Sequence, residues 1–572
     1  MPEFDTIIRG GTIVDGTRMP RFRADIGIKA GRITRIGKLQ AHQAAKVIDA
    51  SGAFVVPGFI DLHTHYDAPM FWDPHCTISS WHGVTSVVTG NCGFGFAPVH
   101  PEFRERAMLT MTRVEAIPYA SMAAAMPWDW ETYPQYLDSV DRRPKGINIL
   151  PYVPLSPLIT YVMGLEAAKS RRPTDKEMNE MCRLLDEAME AGGCGFSAQR
   201  LHPDGGASDQ RDFDGSPMVT DVMHNETALA FARVLGKRNE GFMQMTLATG
   251  DPEGDMRHLE ALSEVSGRPL IWNGLRSNDM HPDQHHMVIK WLDSCRERGI
   301  RIYPQGVTTD AGFTFTLPEW NLFDECPAWL EATTGTLEDR LMKLSDPQRR
   351  PALREAKPYM ITKGIEHTIL VQAFKPEYKP LEGMTVADIG AKLGKHPVDT
   401  MLDIAIDDNL RTEFFCPAPN SRLDLQIEVA QYPWAIPGIS DGGAHMKFLS
   451  GGIFTTEYLI KYVRDNHAMS LEEAHWKLSA LAGYCAGFND RGMLREGYAA
   501  DIVIYDLDRL KILPQRIVFD MPAGEWRRVQ EAEGYRYILV NGEVEYIDGK
   551  PTGVFGGRLL RHGAVFRTAA AA

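Results

Sequence analysis

The segment Gly58–Asp67, GFIDLHTHYD, decides how the chain is read. Phe59, Ile60 and Leu62 form a short apolar run entered through Pro57 and Gly58, the composition of a buried strand. Alternate residues of a strand share a face, so His63 and His65 point the same way and offer two imidazoles to one metal ion. Asp67 follows on the loop beyond. Alone, an H-x-H pair also fits two unrelated surface histidines, so the surroundings have to decide.

The chain has 572 residues, more than one compact core normally holds, which predicts a large domain and a smaller one. Apolar residues make up 44% and charged residues 24%, ordinary values for a folded globular protein. The net charge of −14 comes without a long run of one sign, which argues for a dispersed acidic surface and against a nucleic-acid partner. The opening MPEFDTIIRGG lacks a basic flank before an apolar core, so no signal peptide is read, and no apolar run is long enough to span a bilayer. Eight scattered cysteines predict reduced, buried thiols and a cytoplasmic location.

Short strands open the chain at Thr6–Arg9, Thr12–Val14, Asp25–Lys29 and Arg32–Ile36, with Gly10-Gly11 and Ala30-Gly31 read as hairpin turns. The same texture returns at Ala500–Tyr505, Tyr537–Val540 and Glu543–Ile547, so the two ends are expected to build one small β domain. Between them lie eight candidate strands: Phe59–Leu62, Ser86–Thr89, Ile147–Val153, Gly195–Ala198, Phe242–Thr246, Leu270–Asn273, Ile300–Pro304 and Ala435–Ser440. Helical stretches alternate with these strands, an α/β pattern that suits a (β/α)₈ TIM-like barrel with its chemistry at the strands' carboxyl ends. The interval Asp310–Trp434 is too long for one crossover and reads as a mostly helical insertion, either a cap over the site or an oligomer surface.

GFIDLHTH, together with VVTGNCGFGFAPV (Val87–Val99), GCGFSAQRL (Gly193–Leu201), ISDGGAH (Ile439–His445) and DRGMLREGYAADIVIYD (Asp490–Asp506), resembles the metal-dependent amidohydrolases over nearly the whole chain. The Asn91-Cys92-Gly93 turn is similar to the D-aminoacylase, or N-acyl-D-amino-acid deacylase, branch. The resemblance implies a discontinuous layout. Residues 1–57 and 486–572 form a β-sandwich, and residues 58–485 form the hydrolase barrel with its insertion at 310–434.

Asp441 ends the last barrel strand, where a carboxylate can hold the ion, accept a water proton and pass it to the leaving nitrogen; a helix N-cap is the competing reading. Cys92 follows the second strand as a thiolate ligand or a buried structural cysteine, and Cys194 is assigned to the structural role. His445 reads as a group behind the ligands or a substrate contact. Departures from the branch are informative. Related deacylases carry histidines after the fifth and sixth strands; here those positions fall near Thr246 and Gly274, with His258 and His281 placed later on helix or loop. No lysine follows the fourth strand to form a carboxylated bridge. His63, His65, Cys92 and Asp441 therefore suffice for one ion, and zinc suits that donor set.

The branch's substrate-facing His and Arg are replaced by Leu155 and Ile159, which predicts an apolar pocket wall joined by Phe94, Phe96 and Trp272. Arg200 and Arg276 are the candidate carboxylate clamps, with rim salt bridges as the alternative. The expected activity is hydrolysis of a non-peptide C–N bond in a small molecule, an N-acyl amino acid or a bulky hydrophobic amide. A cyclic amide or lactone hydrolase and a catalytically silent scaffold are the alternatives, and a homo-oligomer is a possible assembly.

Overall fold

The β-branched and apolar runs become parallel strands that follow one another in chain order. They are β1 (Phe59–Asp61), β2 (Val84–Thr89), β3 (Asn148–Pro151, continued past Tyr152 by Val153–Pro154), β4 (Gly195–Arg200), β5 (Phe242–Leu247), β6 (Leu270–Leu275), β7 (Ile302–Val307) and β8 (Ile436–Gly438). Each pairs in parallel with the next. A parallel bridge between Thr64 and Gly442 joins the residues that follow β1 to those that follow β8. This computed structural model describes residues 2–201, 210–309, 312–318, 323, 326–358 and 363–562. It is a mixed α/β structure with a TIM-barrel core and an additional domain.

Alternation along the strands divides the core into two parts. Val88, Leu150, Phe242, Ile271, Tyr303 and Ile436 share one apolar cluster, the last four from the first or second residue of their strands. Two residues further along β5, β6 and β7 come Gln244, Asn273 and Gln305, all buried and polar. The residue between, such as Met243 or Met245, packs outward into the larger cluster beneath the helices. Each strand thus contributes apolar packing at one end and hydrogen-bonding groups at the other.

Three helices matter for the site: α1 (Arg104–Val114) after β2, α2 (Gln284–Glu297) after β6, and α3 (Leu423–Gln431) before β8. The insertion is more than helices. Strands Phe313–Phe315, Glu413–Cys416 and Ile369–Gln372 form an antiparallel sheet with helices packed over its own core of Trp329, Met401, Leu402 and Phe414. Alternation over three or four residues is too short to stand out in a segment dominated by helical periodicity. Within the insertion Asp310, Glu319–Leu322, Asp324 and Glu325 lie outside the described residues, as does the C-terminal Thr568–Ala572.

Both ends of the chain contribute to one seven-stranded sheet, in which Ile502–Tyr505 lies between Phe54–Pro57 and Tyr535–Val540. A four-stranded sheet of N-terminal strands faces the same core, with Ile8, Ile28 and Ile48 meeting Val55, Ile502 and Leu539. Hairpins form at Ala30-Gly31, as expected, and at Asn541-Gly542. Gly10-Gly11 is not a hairpin turn. There the chain leaves Phe4–Arg9 in one sheet for Thr12–Ile13 in the other, and a Cβ on Gly11 would sit 2.4 Å from Val55 Cγ2. The DRGMLREGYAAD motif ties this domain to the core: Arg491 donates to Asp501 at 2.5 Å, and Asn148 of β3 donates to the same carboxylate at 3.1 Å. No helix among the described residues is long and apolar enough to cross a membrane.

Candidate functional site

His63 and His65 stand just past the end of β1, both buried, with ring centroids 5.4 Å apart. Asp61 builds the turn beneath them by accepting from the His63 backbone N–H at 3.1 Å and the Ser440 hydroxyl at 2.5 Å. Burial pushes the Asp61 carboxyl up to about 7. His63 Nδ1 lies 3.2 Å from Gln305 Oε1, an acceptor, so the neutral ring carries its proton on that nitrogen and leaves Nε2 as the metal-binding atom. The Asn273 amide, 2.5 Å from the same nitrogen, matches this tautomer when its oxygen faces the ring.

Cys92 reaches the same place from a tight turn after β2. Its backbone is left-handed at φ 57°, and its N–H donates to Gln244 Oε1 at 2.8 Å. Gly93 is required beside it, since a Cβ there would come within 3.0 Å of the β4 backbone at Ser197 and Ala198. Asn91 fastens the turn to the histidine loop by donating to Thr64 O at 3.2 Å. Cys92 Sγ stands 3.5 Å from His63 Nε2, and ligand atoms of His63, His65 and Cys92 all lie within 4.8 Å of one another. Cys194 is buried in the apolar cluster, which pushes its thiol well up.

Asp441 meets the histidines from the end of β8, its Oδ1 3.2 Å from His63 Nε2 and 3.8 Å from His65 Nε2. Burial would raise this carboxyl, but His63, His65 and His445 outweigh it and hold it well below the usual range. Burial likewise opposes charging His63, yet Cys92 and Asp441 hold its pKa well above the ordinary value. His65 is pushed down to about 3 by burial and by its neighbour His63, leaving a neutral imidazole. Two imidazoles, a thiol and a carboxylate from three separate loops make a donor set suited to zinc.

One further carboxylate escaped the sequence reading. Glu115, at the C-terminal end of α1, is 2% exposed, with its oxygens 3.7 Å from His65 Nε2 and 3.3 Å from His445 Nε2. Its backbone carbonyl also accepts from the His445 N–H at 2.6 Å. Burial, then Cys92 and Asp441, push its carboxyl well up. No motif marks it, because its place depends on how α1 packs against the loop after β8.

These groups open into a cleft of about 630 Å³ that is continuous with solvent. Arg276, Trp272, Thr246, Asn273, Gly274 and Phe313 line it with the candidate ligands, so the insertion supplies part of the wall through Phe313. Other expected contacts lie elsewhere. Arg200 ends β4 facing a separate depression, where it donates to Asn225 Oδ1 at 2.5 Å. Leu155 and Ile159 are not pocket wall. They lie on a helix with 0% and 3% exposure inside the main core, and Phe94 and Phe96, in the loop after the Cys92 turn, are buried in the same core. His258 is buried on the helix Pro252–Ser266 and His281 lies in the turn before α2, neither of them at the centre.

The model of the amidohydrolase family designated Amidohydro_3 matches residues 46–284 and 385–546. N-acyl-D-glutamate deacylase of Alcaligenes xylosoxydans xylosoxydans is 26% identical over 569 residues, 98% of this chain and 97% of that protein. D-aminoacylase of the same organism is 26% identical over 564 residues, 97% of each. The crystal structure of N-acyl-D-glutamate deacylase from Bordetella bronchiseptica, complexed with zinc and a phosphonate inhibitor, superposes with a TM-score of 0.68 at 24% identity and covers 98% of this chain and all of that one. With the family model spanning most of the length and the motifs gathered at one centre, the chain belongs to the amidohydrolase family.

Proposed function

We propose that this protein is a metal-dependent hydrolase of non-peptide C–N bonds that acts on N-acyl amino acids carrying a bulky apolar acyl group. The observation that carries the reading is the convergence of His63, His65 and Cys92 within 4.8 Å, with Asp441 3.2 Å from His63. Similarity to the two deacylases over almost their full lengths supports the reaction class. In this reading the strands close into a (β/α)₈ barrel over residues 58–485, and residues 1–57 with 486–572 make the β-sandwich beside it.

His63, His65, Cys92 and Asp441 would hold one ion, zinc by donor chemistry, and a bound zinc would supply Lewis-acid polarisation of the amide carbonyl and make water more acidic. Asp441 takes the proton of the attacking water on its carboxylate. The water oxygen joins the carbonyl carbon, the C–N bond breaks, and the proton passes to the leaving nitrogen, giving a carboxylic acid and an amine. Gln305 and Asn273 fix the His63 tautomer, and Glu115 orients His65 and His445. Arg276 at the cleft wall pairs with the substrate carboxylate, while Trp272, Leu247, Met256 and Phe313 receive the acyl group. Leu155 and Ile159 have no part in this pocket, whose apolar character comes from the cleft residues instead.

Hydrolysis of acetyl, octanoyl and aryl amides of one amino acid, in both enantiomers, tests the reading. Chelation is expected to abolish turnover and zinc to restore it, with kcat/KM rising by about fourfold for each methylene that the cleft buries, near 0.8 kcal/mol apiece. Turnover indifferent to chelation would remove the metal, and highest kcat/KM on the acetyl compound would remove the apolar pocket. No turnover on any amide, with zinc bound, would favour the silent scaffold.

A further inference from the structure

Outside the centre, α2 and α3 bring a second set of donors together. His285 and His286 are consecutive in the first turn of α2, and Glu428 faces them from α3. His285 Nε2 and His286 Nε2 lie 2.7 Å and 2.6 Å from the same oxygen, Glu428 Oε2, and the ligand atoms of all three lie within 4.8 Å of one another. The ring centroids are 4.2 Å apart. Asp283 stands 3.6 Å from His286 Nδ1, where a carboxylate behind a metal-binding histidine commonly sits.

We propose that His285, His286 and Glu428 form a second divalent-metal site, taking zinc by preference, that clips α2 to α3 on the wall of the cleft. Two imidazoles and one carboxylate with a fourth position open to water are a donor set that zinc accepts. Bonds of about 2.0–2.2 Å in tetrahedral geometry place donors about 3.4 Å apart, so binding requires the present contacts to open by about 0.7 Å. The geometry permits this because His286 and Glu428 are half-exposed, at 47% and 45%, while His285, fully buried, anchors the site. The clip bears on the cleft directly, since His285, Gln284 and Val288 of α2 line it. It also lies between the helix that follows β6, the strand carrying Asn273, and the helix that leads into β8, the strand that presents Asp441.

The inference is independent of the proposed activity, and its test keeps the two apart. Metal-free full-length protein is titrated with ZnCl₂ by calorimetry, as wild type, His286→Ala, Glu428→Gln and His63→Ala. Wild type is expected to bind two equivalents. His286→Ala and Glu428→Gln should each lose one, or bind it at least tenfold more weakly, and His63→Ala should keep that equivalent. Excess zinc should raise the Tm of His63→Ala but not that of the His63→Ala/Glu428→Gln double variant. If His63→Ala binds as much zinc as wild type while His286→Ala binds less, the clip stands and the catalytic centre falls. His286→Ala and Glu428→Gln both binding zinc with wild-type number and affinity would overturn the clip.

Discussion

Replacement of Asp441 by asparagine isolates proton transfer from folding. The residue sits at φ 49°, a left-handed conformation that asparagine adopts as readily as aspartate, and the amide matches the carboxylate in shape. The backbone after β8, including the Thr64–Gly442 bridge, should therefore survive. The amide cannot accept the water's proton. Loss of a general base costs about 10²- to 10⁴-fold. Glu115 approaches His65 at 3.7 Å, a carboxylate close enough to the centre to relieve part of the loss, so the middle of that range is expected. That is about 10³-fold in kcat, or about 4 kcal/mol in the barrier. The assay is kcat on the best N-acyl amino acid at matched zinc content, because the substitution also weakens the ion's hold. The Asp441→Asn/Glu115→Gln double variant should fall further. A fully zinc-loaded Asp441→Asn enzyme within threefold of wild type would refute the role and leave Asp441 a capping residue.

Other expectations concern binding, stability and the carboxylate the sequence did not reveal. Arg276→Ala should raise KM for acyl amino acids by about tenfold or more while leaving kcat within a few-fold, since a lost carboxylate clamp removes binding in ground and transition state alike; a loss confined to kcat would count against it. Glu115→Gln should keep the fold but lower zinc affinity measured by chelator competition, and unchanged affinity would reduce Glu115 to packing. Acid should destabilise the protein through two buried histidines remote from the centre. His82, between Thr456 and Gln530, is pushed down to about 4 by burial, and His475, against Tyr505, to about 3. Their unfolded values lie near 6.5, so below that pH the unfolded chain binds protons the fold refuses. Stability is thus complete above about pH 6.5 and falls as the pH drops toward 4, by up to about 2.7 kcal/mol per pH unit for the pair. Urea unfolding at pH 7 and pH 5 should show a loss, with His475→Gln reducing it by one histidine's share, up to about 1.4 kcal/mol per pH unit below 6.5; a His475→Gln profile as steep as wild type would contradict the assignment.

The strands and the first candidate ligands were legible because their signals are local. Apolar alternation marks β5 and β6, an H-x-H pair at a strand end needs no tertiary knowledge, and glycines around Cys92 announce a tight turn. What escaped depends on packing. Glu115 follows α1 in a segment with no distinguishing pattern, and only the approach of the loop after β8 makes it a neighbour of His65 and His445. Leu155 and Ile159 were read as pocket wall from the resemblance alone, but these apolar side chains turn into the core and fill space there without lining the cleft. Arg200 stands one residue from Gln199 on β4. Neighbouring residues of a strand face opposite ways, and it is Gln199 that lines the cleft. His285 and His286 look in sequence like a polar helix start, and their partner Glu428 is remote in the chain.

The central claim is that one ion serves the centre formed by His63, His65, Cys92 and Asp441. Metal content of purified His286→Ala protein tests it most directly, because that substitution removes the clip between α2 and α3 and leaves the centre intact. The account predicts one equivalent of zinc per chain, lost when His63→Ala is added. Two equivalents in His286→Ala, both lost with His63, would contradict it by placing a second ion at a centre where the segments around Thr246 and Gly274 supply no histidine.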